Sequence, residues 1–176
     1  MPLAAPRPDE FAPFHAGYIA RVANLASPID ELVAQRARLL NFLAPLSDAQ
    51  ALHRYAPGKW SVKELVGHLA DAERIMAYRL LRIARGDETP LPGFEENDYV
   101  KTAGSDARPF GDLLDEWAAV RDATSALVRG LPAGAWERRG TANGTPVSSR
   151  ALLYIILGHT EHHRSILEER YLLATQ

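Results

Sequence analysis

The sequence predicts an all-α protein, folded as a four-helix bundle, and three observations support this fold class. Four long segments repeat apolar residues near the 3.6-residue period of an α-helix. Clusters of proline and glycine separate these segments. Alternation of apolar and polar residues, the pattern of a half-buried strand, is almost lacking. Long helices joined by loops pack into a bundle, and 176 residues suffice for one domain with its own core.

The N-terminal residues 1–26 are predicted to form an irregular arm that includes at most one short helix. Residues 1–13 contain four prolines, which oppose helix formation. A short helical piece is expected at about residues 14–24. Residues 27–176 are then expected to form the four-helix bundle domain.

The first long helix is predicted at about residues 28–44. Ser27 suits the N-cap position, and Pro28 suits the first helical position, where a missing N–H costs little. The apolar positions that follow at helical spacing are Ile29, Leu32, Val33, Leu39, Leu40 and Leu43. Residues 47–50 (SDAQ) then predict a short turn or helix, and residues 56–59 (APGK) interrupt it.

The second long helix begins with a capping box. Ser61 and Glu64 have the Ser-x-x-Glu spacing of that motif, and Trp60 precedes them at the position of a hydrophobic staple. The helix is expected to end near Gly86. Residues 87–109 contain three prolines and two glycines and show no helical period. A loop of this length in a compact domain usually serves as a lid or a binding loop.

The third helix is predicted at about residues 109–130, where apolar residues again recur at helical spacing. Residues 132–147 follow and include the dipeptide Asn143-Gly144, which favours a tight hairpin turn. A small two-stranded hairpin is therefore expected before the last helix.

The fourth helix is predicted from Ser148 to about Leu173. Its residues 151–157 (ALLYIIL) are apolar on every face, which indicates a central, buried helix. This is the longest apolar run of the chain, and it is far too short to span a bilayer.

The composition is typical of a soluble globular protein, with 47% apolar and 24% charged residues. A net charge of −2 and scattered Lys and Arg residues predict neither a nucleic-acid nor an anionic-membrane partner. The lack of cysteine excludes disulfides, thiolate metal ligands and a cysteine nucleophile. The first residues lack the apolar stretch of a signal peptide, so a cytoplasmic location is expected.

Three histidines are the candidate metal ligands: His68, His159 and His163. The latter two lie four residues apart, so they project from the same face of the fourth helix. His68 lies on the inward, apolar face of the second helix. Neutral imidazole is a common ligand of divalent metals such as Zn, Ni, Mn or Fe. Three protein ligands leave coordination positions open, as in catalytic zinc sites.

The spacing alone leaves a second interpretation open, in which the histidines are core residues held by hydrogen bonds. With six histidines in the chain, a pair four apart arises by chance in about one such sequence in six. Gly67 and Gly158, which precede the proposed ligands, favour the metal site. A glycine inside a helix costs about 1 kcal/mol, and its missing side chain permits close approach of backbone or ligand. His15 and His53 lie outside the long helices, and no ligand role is expected for them.

Three other polar residues are weaker candidates for a role at this site. His162 lies three residues from His159, but its charged neighbours predict a position at the surface. Asp71 lies one turn beyond His68 and is a candidate to orient that imidazole through a hydrogen bond, or else a surface carboxylate. Arg79 is a candidate anion contact beside the 87–109 loop, or else a salt-bridged helix residue.

Taken together, these pieces resemble the DinB/YfiT superfamily of candidate metalloenzymes, and most closely its YfiT-type bacillithiol transferase branch. The resemblance covers roughly residues 45–173. Its pieces are residues 58–62 (GKWSV), residues 68–71 (HLAD), Arg79, residues 88–90 (ETP), Trp117 and His159-x-x-x-His163. Their order and separations are more specific than any one motif.

The resemblance implies a four-helix bundle, usually a homodimer, in which His68, His159 and His163 hold one divalent ion. It also implies transfer of a low-molecular-weight thiol, similar to bacillithiol, to a small electrophile. A bound divalent cation lowers the pKa of a thiol as it does that of water. The thiol would then react as a metal-bound thiolate, without any protein cysteine. The expected partners are a small-molecule thiol and an electrophile, with no nucleic acid and no membrane.

Two alternative functions share the same residues. A metal-dependent hydrolase would use metal-bound water in place of the thiol, and a non-catalytic stress protein would bind the metal structurally. A fourth protein ligand would favour the structural role, whereas open positions facing residues 87–109 would favour catalysis. Phe11, Phe14 and Tyr18 are candidates to cover either a partner subunit or the open end of the bundle.

Overall fold

The computed structural model describes residues 3–171 of the chain. The helices in this part are α1 (Ala16–Val22), α2 (Pro28–Leu43), α3 (Asp48–Ala51), α4 (Val62–Ala84), α5 (Glu96–Ala103), α6 (Phe110–Arg129) and α7 (Ser149–Arg170). One antiparallel hairpin joins β1 (Arg139–Ala142) to β2 (Thr145–Ser148). Short 3-10 turns lie at Pro8–Glu10, Pro13–His15, Ser105–Ala107 and Ala133–Ala135.

The predicted four-helix bundle is confirmed, and α2, α4, α6 and α7 are its members. Helix α4 packs against both α6 and α7, and α2 closes the bundle against the same two helices. Each helix lies within about two residues of its predicted bounds at the ends that the structure describes. Helix α7 was predicted to run to about Leu173, but it ends at Arg170 with Tyr171 as its C-cap, and residues 172–173 lie outside the described residues.

Helices α4 and α7, which carry the three candidate metal ligands, each begin at a side-chain cap. The Ser61 hydroxyl accepts a hydrogen bond from the Glu64 amide at 3.0 Å, and the Glu64 carboxylate accepts one from the Ser61 amide at 2.9 Å. This is the predicted capping box. At the start of α7, the Ser148 hydroxyl accepts a hydrogen bond from the amide of Ala151 at 3.1 Å.

Apolar side chains fill the bundle in two clusters. One cluster lies where α1, the second half of α4, the first half of α7 and the hairpin meet. The other lies where the second half of α2 meets the first halves of α4 and α6. The all-apolar stretch predicted at residues 151–157 is fully buried, as expected of a central helix.

A buried polar network links all four bundle helices. Arg121 is fully buried, and its guanidinium donates to both carboxylate oxygens of Glu73 at 2.8 to 3.0 Å. It also donates to the side-chain oxygens of Gln35 at 2.7 Å and Thr160 at 2.8 Å. Gln35 in turn donates to the carbonyl of Leu157 at 3.0 Å. The ion pair is therefore surrounded by partners for its remaining hydrogen-bonding groups.

The N-terminal arm folds back onto the bundle. Helix α1 falls within the predicted residues 14–24 and packs along α7. Glu10 is buried, accepts a hydrogen bond from Ser148 at 2.7 Å and pairs with Arg150. The hydrogen bond from Arg150 lowers the pKa of Glu10 to about 2, so the carboxylate stays charged at neutral pH.

Residues 87–109 contain more helix than the sequence indicated. The segment was expected to be a loop without helical period, but α5 lies within it. Glu95 caps this helix by accepting from the Asn97 amide at 3.3 Å, and Gly104 ends it with a left-handed φ of 66°. Of its eight residues, Val100 is the buried one, so no apolar period could be recognised.

The hairpin before α7 is confirmed. Asn143 and Gly144 both have positive φ, 50° and 71°, as a tight hairpin turn requires. Leu91 pairs with this hairpin through hydrogen bonds to Thr141 and Asn143 at 2.9 and 3.0 Å. The contact ties the segment after α4 to the hairpin. Within residues 3–171, no helix has the length and apolar composition needed to cross a membrane.

We predict that Glu73→Ala lowers the free energy of unfolding by about 3–5 kcal/mol, because it leaves the Arg121 charge buried and unpaired. Urea denaturation followed by circular dichroism measures the change. The control is Asp122→Ala, beside Arg121 on α6, which removes an exposed ion pair with Arg36 and should cost less than about 1 kcal/mol. Equal losses in the two variants would contradict a special role for the buried pair.

Candidate metal centre

Three imidazoles converge between α4 and α7. The Nε2 atom of His159 lies 3.0 Å from Nε2 of His68 and 3.2 Å from Nε2 of His163. All three side chains are buried, with exposed fractions of 3% to 8%. The ligand atoms of the three lie within 4.8 Å of one another. The histidines predicted as metal ligands therefore share one point in the bundle interior.

The arrangement fits a divalent metal ion. Nitrogens about 2.0–2.1 Å from a tetrahedral ion lie about 3.3–3.4 Å from one another, close to the separations seen here. A neutral ring offers one lone pair, and a single cation can accept all three at once. Among residues 3–171, no carboxylate and no fourth histidine joins the cluster. A metal bound there would keep open coordination positions.

The environment keeps the three rings neutral. Burial lowers the pKa of His68 to about 4. Burial, reinforced by the neighbouring histidines, holds the pKa values of His159 and His163 well below their usual range. At neutral pH each ring therefore has a free lone pair, which is the form that binds metal.

A cavity of about 470 Å³ opens beside the histidines and includes His68 and His159 in its wall. Its volume is typical of a small-molecule site. Apolar side chains form much of the lining, from Ala72 and Met76 of α4 and from Leu152 and Ile155 of α7. The arm, the hairpin and the segment after α4 form the remaining walls.

Comparison with known proteins identifies the family. A sequence profile of the DinB superfamily matches residues 31–167, which include all three histidines. The chain belongs to the DinB superfamily. A candidate metal-dependent hydrolase from Geobacillus thermodenitrificans is 30% identical over 127 residues, or 69% of each chain. Another, from Oceanobacillus iheyensis, is 33% identical over 64 residues, or 36% of each chain.

Two solved structures share the fold of this DinB protein. YfiT from Bacillus subtilis, described as a candidate metal-dependent hydrolase with an unusual four-helix bundle topology, superposes with a TM-score of 0.71. It is 20% identical, and the match covers 93% of this chain and 89% of YfiT. A mycothiol-dependent maleylpyruvate isomerase gives a TM-score of 0.65 at 16% identity, over 78% of this chain and 58% of the isomerase.

The glycines beside the ligands in this DinB chain allow close approach, as predicted. A Cβ on Gly158 would lie 2.1 Å from the backbone oxygen of Tyr18, so α1 could not pack at this distance. A Cβ on Gly67 would lie 2.6 Å from the Ser105 hydroxyl oxygen. Gly158 thus lets α1 lie against α7 beside the three histidines.

Two aromatic residues hold the imidazoles in place. The indole of Trp60 lies 4.8 Å from the His68 ring and stacks at 6.5 Å on the His163 ring, measured between centroids. Tyr18 meets His159 edge to face at 5.5 Å. Trp60 was expected as a hydrophobic staple, but its contact with the ligands was not foreseen. Tyr18 lines the cavity beside His159, and its two predicted roles, at a partner subunit or at the open end of the bundle, stay predictions.

The structure separates two of the other predicted residues from the ligand cluster. His162 is half-buried outside the cluster and contacts Tyr18, with ring centroids 5.2 Å apart. Asp71 accepts a hydrogen bond from Arg74 at 3.4 Å, and no hydrogen bond in the described chain joins it to a ligand histidine. The proposed role of Asp71 in orienting His68 therefore has no support.

The cavity wall also contains residues from outside the four bundle helices. His15 lines it, and its Nδ1 atom is buried without a hydrogen-bond partner among the described residues. Phe94, Glu95 and Glu96 belong to residues 87–109, the segment expected to serve as a lid or binding loop, and Asn143 belongs to the hairpin turn. The arm and the hairpin reach the site through tertiary packing alone, which leaves no local pattern in the sequence.

We predict that His163→Ala loses most of its bound metal, because two ligands remain where three are needed. His162→Ala is the matched control on the same helix and should keep its metal, since His162 lies outside the cluster. Elemental analysis of both purified variants, after equal exposure to Zn²⁺ and dialysis, measures the metal per chain. Full metal content in His163→Ala, or its loss in His162→Ala, would contradict the assigned ligand set.

Proposed function

We propose that this protein is a metal-dependent transferase that adds a low-molecular-weight thiol to small electrophiles. The observation that carries the proposal is the group of three neutral, convergent imidazoles beside an apolar cavity. His68, His159 and His163 would hold one divalent ion, whose identity among Zn, Ni, Mn and Fe is open. Such an ion lowers the pKa of a bound thiol or water and so supplies a nucleophile at neutral pH.

The chain's own residues position the imidazole nitrogens and exclude water from the site. Trp60 and Tyr18 fix the ring planes of the histidines, so that the three nitrogens are preorganised. The apolar lining from α4 and α7 removes water from around the reacting groups, which strengthens the electrostatic effect of the site. A chain without cysteine needs an external thiol as its sulfur nucleophile.

A bacillithiol-like thiol is our preferred substrate class, on the motif resemblance to the YfiT-type branch. One structural neighbour is described as a mycothiol-dependent isomerase. A second protein with this fold is therefore described as dependent on a low-molecular-weight thiol. We place the activity in the cytoplasm, where low-molecular-weight thiols are kept reduced.

Hydrolysis is the second candidate function, because the curated relatives are described as candidate metal-dependent hydrolases. The same three histidines would serve, with water as the nucleophile. A purely structural metal role is less well supported. No fourth ligand from residues 3–171 closes the site, and the cavity leads to it.

We also propose that the protein forms a homodimer. The Phe14 side chain is 75% exposed at the mouth of the cavity, and such an apolar surface suits a partner subunit. Light scattering at high micromolar concentration should give twice the chain mass of 19.4 kDa. A strictly monomeric mass would rule out a stable dimer.

The activity is tested with bacillithiol and 1-chloro-2,4-dinitrobenzene, whose thioether product is followed by absorbance. The metal-loaded protein should speed formation of the S–C bond with loss of chloride, and removal of the metal should abolish this. The double variant His68→Ala/His163→Ala should be inactive, whereas His162→Ala should remain active. Turnover that persists in the double variant would overturn the mechanism. Metal-dependent cleavage of p-nitrophenyl acetate without thiol would favour the hydrolase instead.

A further inference from the structure

Arg79 is a buried cation that has no counter-ion among the described residues. It is 9% exposed, and it donates one hydrogen bond, at 2.6 Å, to the carbonyl oxygen of Pro92. Its guanidinium carbon lies 6.0 Å from the centroid of the Phe94 ring. Within residues 3–171, no carboxylate lies within 4.0 Å of the guanidinium. The other buried arginine, Arg121, is fully paired with Glu73.

An unpaired guanidinium in the wall of a cavity favours the binding of an anion there. A buried charge is costly unless it is paired, and the planar guanidinium matches a carboxylate with two parallel hydrogen bonds. Arg79 lines the same cavity as His68 and His159. The carboxylates of Glu95 and Glu96 also line it, but neither pairs with Arg79. The charge of Glu96 instead acts on Tyr18, whose pKa burial and Glu96 raise.

The cavity separates the cation from the histidines. Arg79 lies eleven residues after His68 on α4, a rise of about 16 Å along the helix axis. Side chains on a helix generally lean toward its N-terminus, which shortens the span from a residue at position 79 to the imidazoles. The distance that a ligand must span is therefore about 10–15 Å. Ala72 and Met76 line the cavity at the positions between them.

We propose that Arg79 binds a carboxylate of the thiol substrate, and that this carboxylate lies about 10–15 Å from the thiol sulfur. This inference rests on the proposed function, because the sulfur is placed at the histidine end. Short thiol acids such as 3-mercaptopropionate cannot reach both ends. The substrate is thus an elongated thiol that carries a carboxylate at its far end, and the electrophile meets its sulfur at the histidine end.

A series of ω-mercaptoalkanoates serves as a molecular ruler. The probes are 3-mercaptopropionate, 8-mercaptooctanoate and 11-mercaptoundecanoate, each compared with the mercaptoalcohol of equal length. Their alkyl chains suit the apolar wall of the cavity. Isothermal titration calorimetry on the zinc-loaded protein gives the affinity of each, and the ratio of acid to alcohol isolates the contribution of the carboxylate.

For the three-carbon pair, we expect the acid and the alcohol to bind with nearly equal affinity. For the longer pairs, the acid should bind about tenfold or more tightly than the alcohol. Arg79→Gln should lose this preference, although its amide can still donate to the Pro92 carbonyl. The control is Arg82→Gln on the same helix, whose guanidinium pairs with Asp87 outside the cavity, and it should retain the preference.

The outcomes separate this inference from the proposed function. If thiols of every length bind without preference for the acid, the carboxylate site is overturned. It is also overturned if Arg79→Gln keeps the preference, and Arg79 then serves only to hold Pro92 by a hydrogen bond. If the preference appears equally at three carbons, the distance is overturned. If no thiol binds at all, the thiol transferase function itself fails, and this inference fails with it.

Discussion

The burial of three neutral imidazoles against one another is the constraint on which the rest of this structure depends. His68, His159 and His163 place their Nε2 atoms close together where burial disfavours any protonated ring. One lone pair per ring points at the same small volume, and a cation is the economical way to satisfy all three. Helices α4 and α7 must therefore cross at one fixed register. Because Gly158 has no side chain, α1 can pack closely on α7 at this point.

The remaining interior supports this register in two ways. The network around Arg121 connects the four bundle helices, and Thr160 extends it to the residue beside His159. Each member has a defined partner, so a shift of any helix along its axis would leave a buried polar group unsatisfied. On the other side of the site, Trp60 packs on two of the ligand rings. Apolar packing alone would tolerate small shifts that a metal site cannot.

The fold and the shared face of His159 and His163 could be predicted from the sequence because their signals are local. Ser61 and Glu64 specify a helix start within one turn, and the four-residue spacing of His159 and His163 specifies a shared face. The cavity could not be predicted, since its walls come from segments that meet only after folding. Tyr18 is the example: it was expected to cover a partner subunit or the open end of the bundle, and its contact with His159 forms only when α1 packs on α7. Helix α5 is too short and too polar to show an apolar period.

The most direct test of the account is X-ray absorption spectroscopy on the zinc-loaded protein. It should show a shell of nitrogen and oxygen atoms at about 2.0–2.2 Å, with the outer-shell scattering of three imidazole rings and no carboxylate. The spectrum of His162→Ala should be unchanged. A first shell with two or fewer imidazoles in the wild type would contradict the claim that these three histidines converge in order to hold one ion.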